Sequence, residues 1–333
     1  MARTQVILSR RRVLTAAGAA LAAPAILRQA SGPAEAAPAR PETPLFRRLR
    51  LGTLDLVVLS DASVMIDGPW PIVGEDRPKE EVERLMRDSL LPPARFRPGF
   101  SPVLIDDGRT RTLIDAGNGA DGFVPRPAGG RLVEALAGAG YSPGDIDLVA
   151  LTHAHVDHIG GLLDGGAPAF PNARVAIGEI ERAFWKNPAR LSAPEGSNEL
   201  KSAKLFARTI EALGDRLDVV KPGQEVVAGV SALGAYGHTP GHLAFHVESG
   251  GRRLLVWGDC AHHEVASLAH PEWSAFFDMD KEQGRATRAK IYDMAAAERL
   301  PVLGYHTSFP SLGFVTREGT GYRWVPESYQ FAE

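Results

Sequence analysis

The chain has 333 residues, 44% of them hydrophobic and 23% charged, enough to bury the core of one large domain or two small ones. Residues 1–36 hold five arginines and one glutamate, which leaves 32 basic and 39 acidic residues and a net charge near −7 for the remainder. That balance argues against a nucleic-acid partner, which needs a basic face, and against docking on anionic lipid.

The N-terminus differs in composition from the rest of the chain. Ser9-Arg10-Arg11-Arg12-Val13-Leu14 precedes a short Ala-rich apolar run and resembles a twin-arginine export signal. The run is too short and too rich in small residues for a good membrane span, and Ala34-Glu35-Ala36 reads as an A-x-A cleavage site. The expected organisation is a signal over 1–36, a Pro-rich linker over 37–45 and a single domain over 46–333, exported to the periplasm or secreted. Cys260 is the only cysteine, so no internal disulfide staples that domain.

Branched apolar residues predict a strand over 54–67. Residues 102–117 read as a hairpin turning at Asp107-Gly108. Helical spacing with a glycine stop predicts a helix over 131–140, and 146–153 reads as a buried strand. Helices are expected near 179–185, 198–213 and 281–298. "HVESGGRRLLVWGD" repeats the grammar of "LIDDGRTRTLIDAG": strand, Gly turn, strand, acidic residue. Two related ββ units suggest two sheets packed face to face with helices outside.

The stretch "LTHAHVDHIGG" (151–161) concentrates His153, His155, Asp157 and His158 at the end of a predicted strand. Residues two apart in extended chain point the same way, so His153 and His155 can share one metal ion. Asp157 and His158 fall at the turn into a helix expected to begin in "IGGLLD", facing a second ion, where free N–H groups favour an ionised aspartate. A solvated polar loop or a buried histidine network would also account for this stretch taken alone. Further along, His238 follows the predicted strand 226–235, Asp259 closes the second hairpin and His306 follows 302–305, each at a strand end.

This series resembles the H-x-H-x-D-H signature and later ligands of the metallo-β-lactamase superfamily, over roughly 51–329. Within it, "AFPNARV", "FWK", "HTPGH", "HTSFP" and "GTGYRWVP" are similar to the methyl parathion hydrolase and lactonase/arylesterase branch. The resemblance implies an α/β fold, an αββα sandwich of two mixed sheets flanked by helices. It implies that His153, His155 and His238 bind one metal, that Asp157, His158 and His306 bind the other, and that Asp259 bridges them. Two divalent ions are expected, zinc first, with iron, manganese or cobalt compatible with the same donors. A homodimer is expected from the resemblance alone.

Such a site implies a dinuclear hydrolase in which a metal-bridging hydroxide attacks the substrate, with Asp157 and Asp259 as the catalytic carboxylates. No G-x-S-x-G elbow offers an alternative nucleophile. A small molecule, a neutral apolar lactone or aryl ester, is the expected substrate, with Trp185, Phe184, Phe123, Phe277 and His262 as pocket residues. An organophosphate triester is the nearest alternative, followed by a glyoxalase II-like thioester or a β-lactam. A metal-binding protein without activity is the non-enzyme alternative. Cys260 reads as a buried thiol, His242 as a loop hydrogen-bonding residue, His246 as structural and His270 as a loop residue.

Overall fold

The computed structural model describes Pro44 to Ser328; the expected signal over 1–36 and most of the linker lie outside the described residues. Two seven-stranded mixed sheets dominate. In the first, the strands Phe46–Leu51, Leu54–Leu59, Val103–Asp106 and Arg111–Ile114 form an antiparallel meander. Leu148–Ala150, Arg174–Gly178 and Leu217–Val220 then add in parallel. In the second, Glu225–Val227, Val230–Gly234, Leu243–Ser249 and Arg252–Val256 form another antiparallel meander. Pro301–Leu303 joins it in parallel, and Leu312–Glu318 and Gly321–Pro326 finish it antiparallel.

Side-chain alternation explains the layers. Leu56 and Val58 face the second sheet and pack with Phe245, Val247 and Leu254, while Val57 and Leu59 face outward beneath the helices Leu132–Gly138 and Asn198–Leu213. In the second sheet Leu255 and Trp257 face outward against Ile291, Tyr292 and Ala295 of the helix Lys281–Ala297. Strands covered on both faces read as continuous apolar runs, which is why "LDLVVL" shows little alternation. The architecture is the expected αββα sandwich. Among the described residues no helix is long and apolar enough to cross a membrane.

Local signals set the helix ends. Ser197 Oγ accepts the Leu200 N–H, and Asp280 Oδ1 accepts the Gln283 N–H, capping the two long helices. The first stops at Gly214, whose φ of 57° suits glycine.

Two expectations need correction. The strand expected over 54–67 ends at Leu59, because Asp61 turns the chain out of the sheet. The buried Asp61 carboxylate accepts the N–H groups of Asn118 and Leu132 and the Asn118 side-chain amide. The helix expected to begin in "IGGLLD" begins earlier: Val156–Ile159 is itself one helical turn, carrying both Asp157 and His158. Gly160–Leu162 continues as a 3₁₀ turn. A Cβ on Gly160 or Gly161 would collide with the carbonyl oxygens of Asn118 and Ala116, so close backbone approach explains the glycine pair.

Candidate metal centre

Both sheets end their parallel strands at one rim, and the histidines and aspartates gather there. Leu148–Ala150 delivers Thr152, whose N–H and hydroxyl both donate to Asp115 at the end of the neighbouring strand, each at 2.8 Å. Pinned in this way, the chain places His153 Nε2 3.1 Å from His155 Nδ1. His238 arrives from the second sheet with Nε2 2.9 Å from His155 Nδ1 and 3.2 Å from His153 Nε2. Three ligands held about 2.0–2.1 Å from a tetrahedral ion lie about 3.3 Å apart, so this triangle fits such an ion.

A second group lies beside the first. Asp157 Oδ2 is 3.5 Å from both His158 Nε2 and His306 Nε2. Asp259 Oδ1 is 3.1 Å from His158 Nε2; its Oδ2 is 3.1 Å from His306 Nε2 and 3.2 Å from His238 Nε2. Asp259 therefore faces both groups, the geometry a bridging carboxylate needs. His153, His155 and His238 form one metal-competent cluster and Asp157, His158, Asp259 and His306 a second; His238 also groups with His262 and Asp278.

The chemistry of the donors agrees. Burial pushes His153 and His155 well below the ordinary histidine range, helped by the neighbouring imidazoles, so both are neutral and able to ligate. Burial also acts on His158, but Asp259, Asp115 and Asp157 outweigh it and lift its pKa well above the ordinary value, so an ion binding there would have to displace its proton. Burial pushes Asp259 up, yet His306, His158 and His238 hold it well below the usual carboxylate range. Buried carboxylate charge of this kind needs a cation nearby. His158 Nε2 and Asp259 Oδ1 are buried and face only each other, 3.1 Å apart, at the second cluster.

The outward nitrogens are held as metal ligands usually are. His158 Nδ1 lies 2.8 Å from Asp115 Oδ2, His238 Nδ1 lies 3.1 Å from Asp278 Oδ1, and His306 Nδ1 donates to the Gly99 carbonyl at 3.0 Å. His242 Nδ1 donates to the Ala235 carbonyl while its Nε2 accepts the Asp259 N–H, so it positions the bridging residue, as its loop placement suggested. Burial brings its pKa down to about 3. Cys260 is buried in the outer core, its thiol pushed up by burial. His246 lies within the strand Leu243–Ser249, and His270 stacks on Trp273 at 3.9 Å.

A cleft opens onto both clusters. Ile66, Ile72, Phe96, Phe100, Phe123 and Phe277 form its apolar walls, and His262 stands at its floor beside His155, His238 and His306. His262 is 4% exposed, both ring nitrogens lack partners, and burial holds its pKa at about 3. No lysine or arginine lines this cleft among the described residues. Phe123, Phe277 and His262 line this cleft.

Trp185 and Phe184 do not. Trp185 is 3% exposed behind His155, its ring 6.0 Å from that imidazole and its Nε1–H donated to Glu181 at 2.7 Å. Phe184 packs beside it under the Arg190 guanidinium. The amphipathic turn of Glu179–Lys186 points these rings into the core, not the cleft.

Several residues around the site escaped sequence reasoning: Asp115, Asp278, Glu181, Phe96 and Phe100. Asp115 had a usable signal, since it closes the first hairpin as Asp259 closes the second. Asp278 and Glu181 had none, because tertiary packing alone brings them to the histidines.

The profile of the metallo-beta-lactamase superfamily matches residues 101–278. An N-acyl homoserine lactonase of Bacillus thuringiensis is 30% identical over 155 residues, 44% of this chain, and the chain spans 54% of the length of that relative. AidC, a dizinc quorum-quenching lactonase solved with the product N-hexanoyl-L-homoserine, superposes with a TM-score of 0.77 at 27% identity, covering 85% of this chain and 98% of its own. The hydrolase AbOPH, solved as a member of the beta lactamase superfamily, shares the fold at a TM-score of 0.78 and 23% identity over 86% of this chain and 99% of its own. The chain belongs to the metallo-beta-lactamase superfamily of metallo-hydrolases.

Proposed function

We propose that this chain hydrolyses neutral, apolar lactones, with N-acyl homoserine lactones the first class to test. The observation that carries the reading is the cleft: aromatic walls without a cation open directly onto two adjoining donor clusters. The walls offer no lysine or arginine to a remote carboxylate or phosphate of a substrate, whereas a neutral acyl chain gains from burial against Phe96, Phe100, Phe123 and Phe277. The similarity to AidC and to the Bacillus lactonases supports the same choice.

In this reading His153, His155 and His238 would hold one divalent ion and Asp157, His158 and His306 the other, with Asp259 facing both clusters; the donor set suits zinc. When bound, the two ions supply an acidified water and a positive charge that polarises the scissile carbonyl. The chain's own residues do the remaining work. The aromatic wall fixes the acyl portion and excludes water. Asp157, which lines the cleft and turns Oδ2 toward the second cluster, is the carboxylate placed to take up the proton released on attack and return it to the departing alkoxide, while Asp259 holds the two clusters together. Neutral His262 offers an unpartnered ring N–H to the substrate oxygen.

The motif similarity to the methyl parathion hydrolase and arylesterase branch makes aryl esters and phosphate triesters the competing substrates. The twin-arginine pattern at Ser9–Leu14 supports export, so we place the hydrolase in the periplasm or outside the cell. The test is a panel on the purified chain: an N-acyl homoserine lactone, dihydrocoumarin, phenyl acetate, methyl parathion and nitrocefin. Lactone turnover exceeding the others, abolished by a chelator, supports the proposal. Turnover of methyl parathion or nitrocefin without lactone turnover would overturn it.

A further inference from the structure

Glu181 is wholly buried in the first turn of the helix Glu179–Lys186. A carboxylate in such a place is expensive unless it is fully hydrogen-bonded. Four neutral donors meet it. Oε1 accepts the Ala154 N–H at 2.9 Å and the Trp185 indole N–H at 2.7 Å. Oε2 accepts the Thr239 hydroxyl at 2.6 Å and the Gly241 N–H at 3.0 Å.

The placement of those donors matters. Ala154 lies between His153 and His155, on a loop of the first sheet. Thr239 and Gly241 follow His238, on a loop of the second sheet. Trp185 packs edge-on against His155. One carboxylate thus ties together the two loops that carry the three-histidine cluster. Gly241 permits the approach: a Cβ there would collide with the backbone of Glu181. The second cluster is held through other groups, Asp115 behind His158 and the Gly99 carbonyl behind His306.

We propose that Glu181 is a positioning residue that sets the spacing between the His153/His155 pair and His238, and so sets metal affinity at that cluster separately from the other. This rests on the reading of the two clusters as metal sites. Glu181→Gln tests it with little change of shape. Whichever way the amide turns, its NH₂ faces donors: Ala154 and Trp185 on one side, Gly241 and Thr239 on the other. Only the Thr239 hydroxyl can reverse its role, so a backbone N–H on one loop loses its acceptor.

The experiment measures stepwise zinc and cobalt binding to the metal-free full chain by chelator competition. Cobalt absorption spectra and far-UV circular dichroism are recorded alongside. Wild type should bind two ions. Glu181→Gln should keep the circular dichroism of wild type yet weaken one ion by roughly 10–100-fold, the scale for lost outer partners of metal ligands. The other ion should change less than about threefold, on the same comparison. In a His306→Ala background, which impairs the second cluster, the remaining ion should be the weakened one. Thr239→Val, which removes one donor at nearly constant shape, should give a smaller loss at the same ion, and it decides the matter if Glu181→Gln does not fold.

A folded Glu181→Gln protein that binds both ions as wild type does, or loses both equally, overturns the proposal. So does a Thr239→Val protein without any selective loss. Wild type binding no metal would instead refute the reading of the clusters on which the proposal stands.

Discussion

His238 Nδ1 lies 3.1 Å from Asp278 Oδ1, and Arg288 holds the other oxygen of the same carboxylate. Burial pushes the Asp278 carboxyl up, but His238 and Arg288 together hold it well below the usual range. An ionised Asp278 fixes the tautomer of His238 and turns Nε2 toward His153 and His155. Asp278→Asn should therefore weaken metal at the three-histidine cluster by roughly 10–100-fold while the sandwich stays folded. Chelator competition measures it; unchanged affinity would mean that His238 needs no such support.

Asp259 turns one oxygen to His158 and the other to His306 and His238, and so reaches both clusters. Asp259→Ala should lower the metal content from two ions toward one and reduce kcat/KM by about 10³-fold or more, a scale set by the loss of a group needed in the transition state. Metal analysis and lactone hydrolysis on the same sample check both parts. Full turnover by the variant would refute the dinuclear account.

Phe123 stacks with Phe100 at 6.4 Å and meets Phe277 edge-on at 6.0 Å at the mouth of the cleft. Phe123 is 43% exposed, so its loss should leave stability nearly intact. Phe123→Ala should raise KM for long apolar substrates more than it lowers kcat. Trp185→Ala should behave in the opposite way, costing about 3–5 kcal/mol of stability as a buried ring is removed. Steady-state kinetics and denaturant unfolding of the two variants separate wall from core.

His263 lies on the side of its loop away from the cleft floor, with Nδ1 accepting the N–H groups of Val265 and Ala266 at 3.1 and 3.2 Å. Burial lowers its pKa from 6.5 to about 4. Between those values the unfolded chain binds more protons than the folded one. The stability linked to His263 is complete above pH 6.5 and is lost as pH falls toward about 4. His263→Asn keeps an acceptor for the two N–H groups without the titration. Urea unfolding of the metal-free chain should show a shallower loss of stability across that window in the variant. Identical slopes would remove His263 from the acid response.

The layers and most helices were legible in the sequence because they follow from periodicity and caps. Asn198–Leu213 was bounded by Ser197 and Gly214, and the two hairpins by their glycine turns. The seven histidines and aspartates of the site were legible because each follows or closes a strand, and the sandwich brings strand ends to one rim. Asp61 defeated the strand expected through 67: its carboxylate is satisfied by Asn118 and Leu132, partners far away in sequence. Trp185 was misplaced because an aromatic near a metal site can face the cleft or brace a ligand from behind. Only the orientation of the helix Glu179–Lys186 distinguishes the two. Glu181 carried no local signature at all, since its four donors come from three separate segments.

Two metal ions at the paired clusters are proposed to make this chain a lactone hydrolase. The most direct test strips the purified chain with a chelator, then restores zinc stepwise while following hydrolysis of an N-acyl homoserine lactone. Activity should vanish on stripping and reach its full value as the second equivalent of metal binds. Lactone hydrolysis that survives in metal-free protein, or that never appears with both equivalents bound, would contradict it.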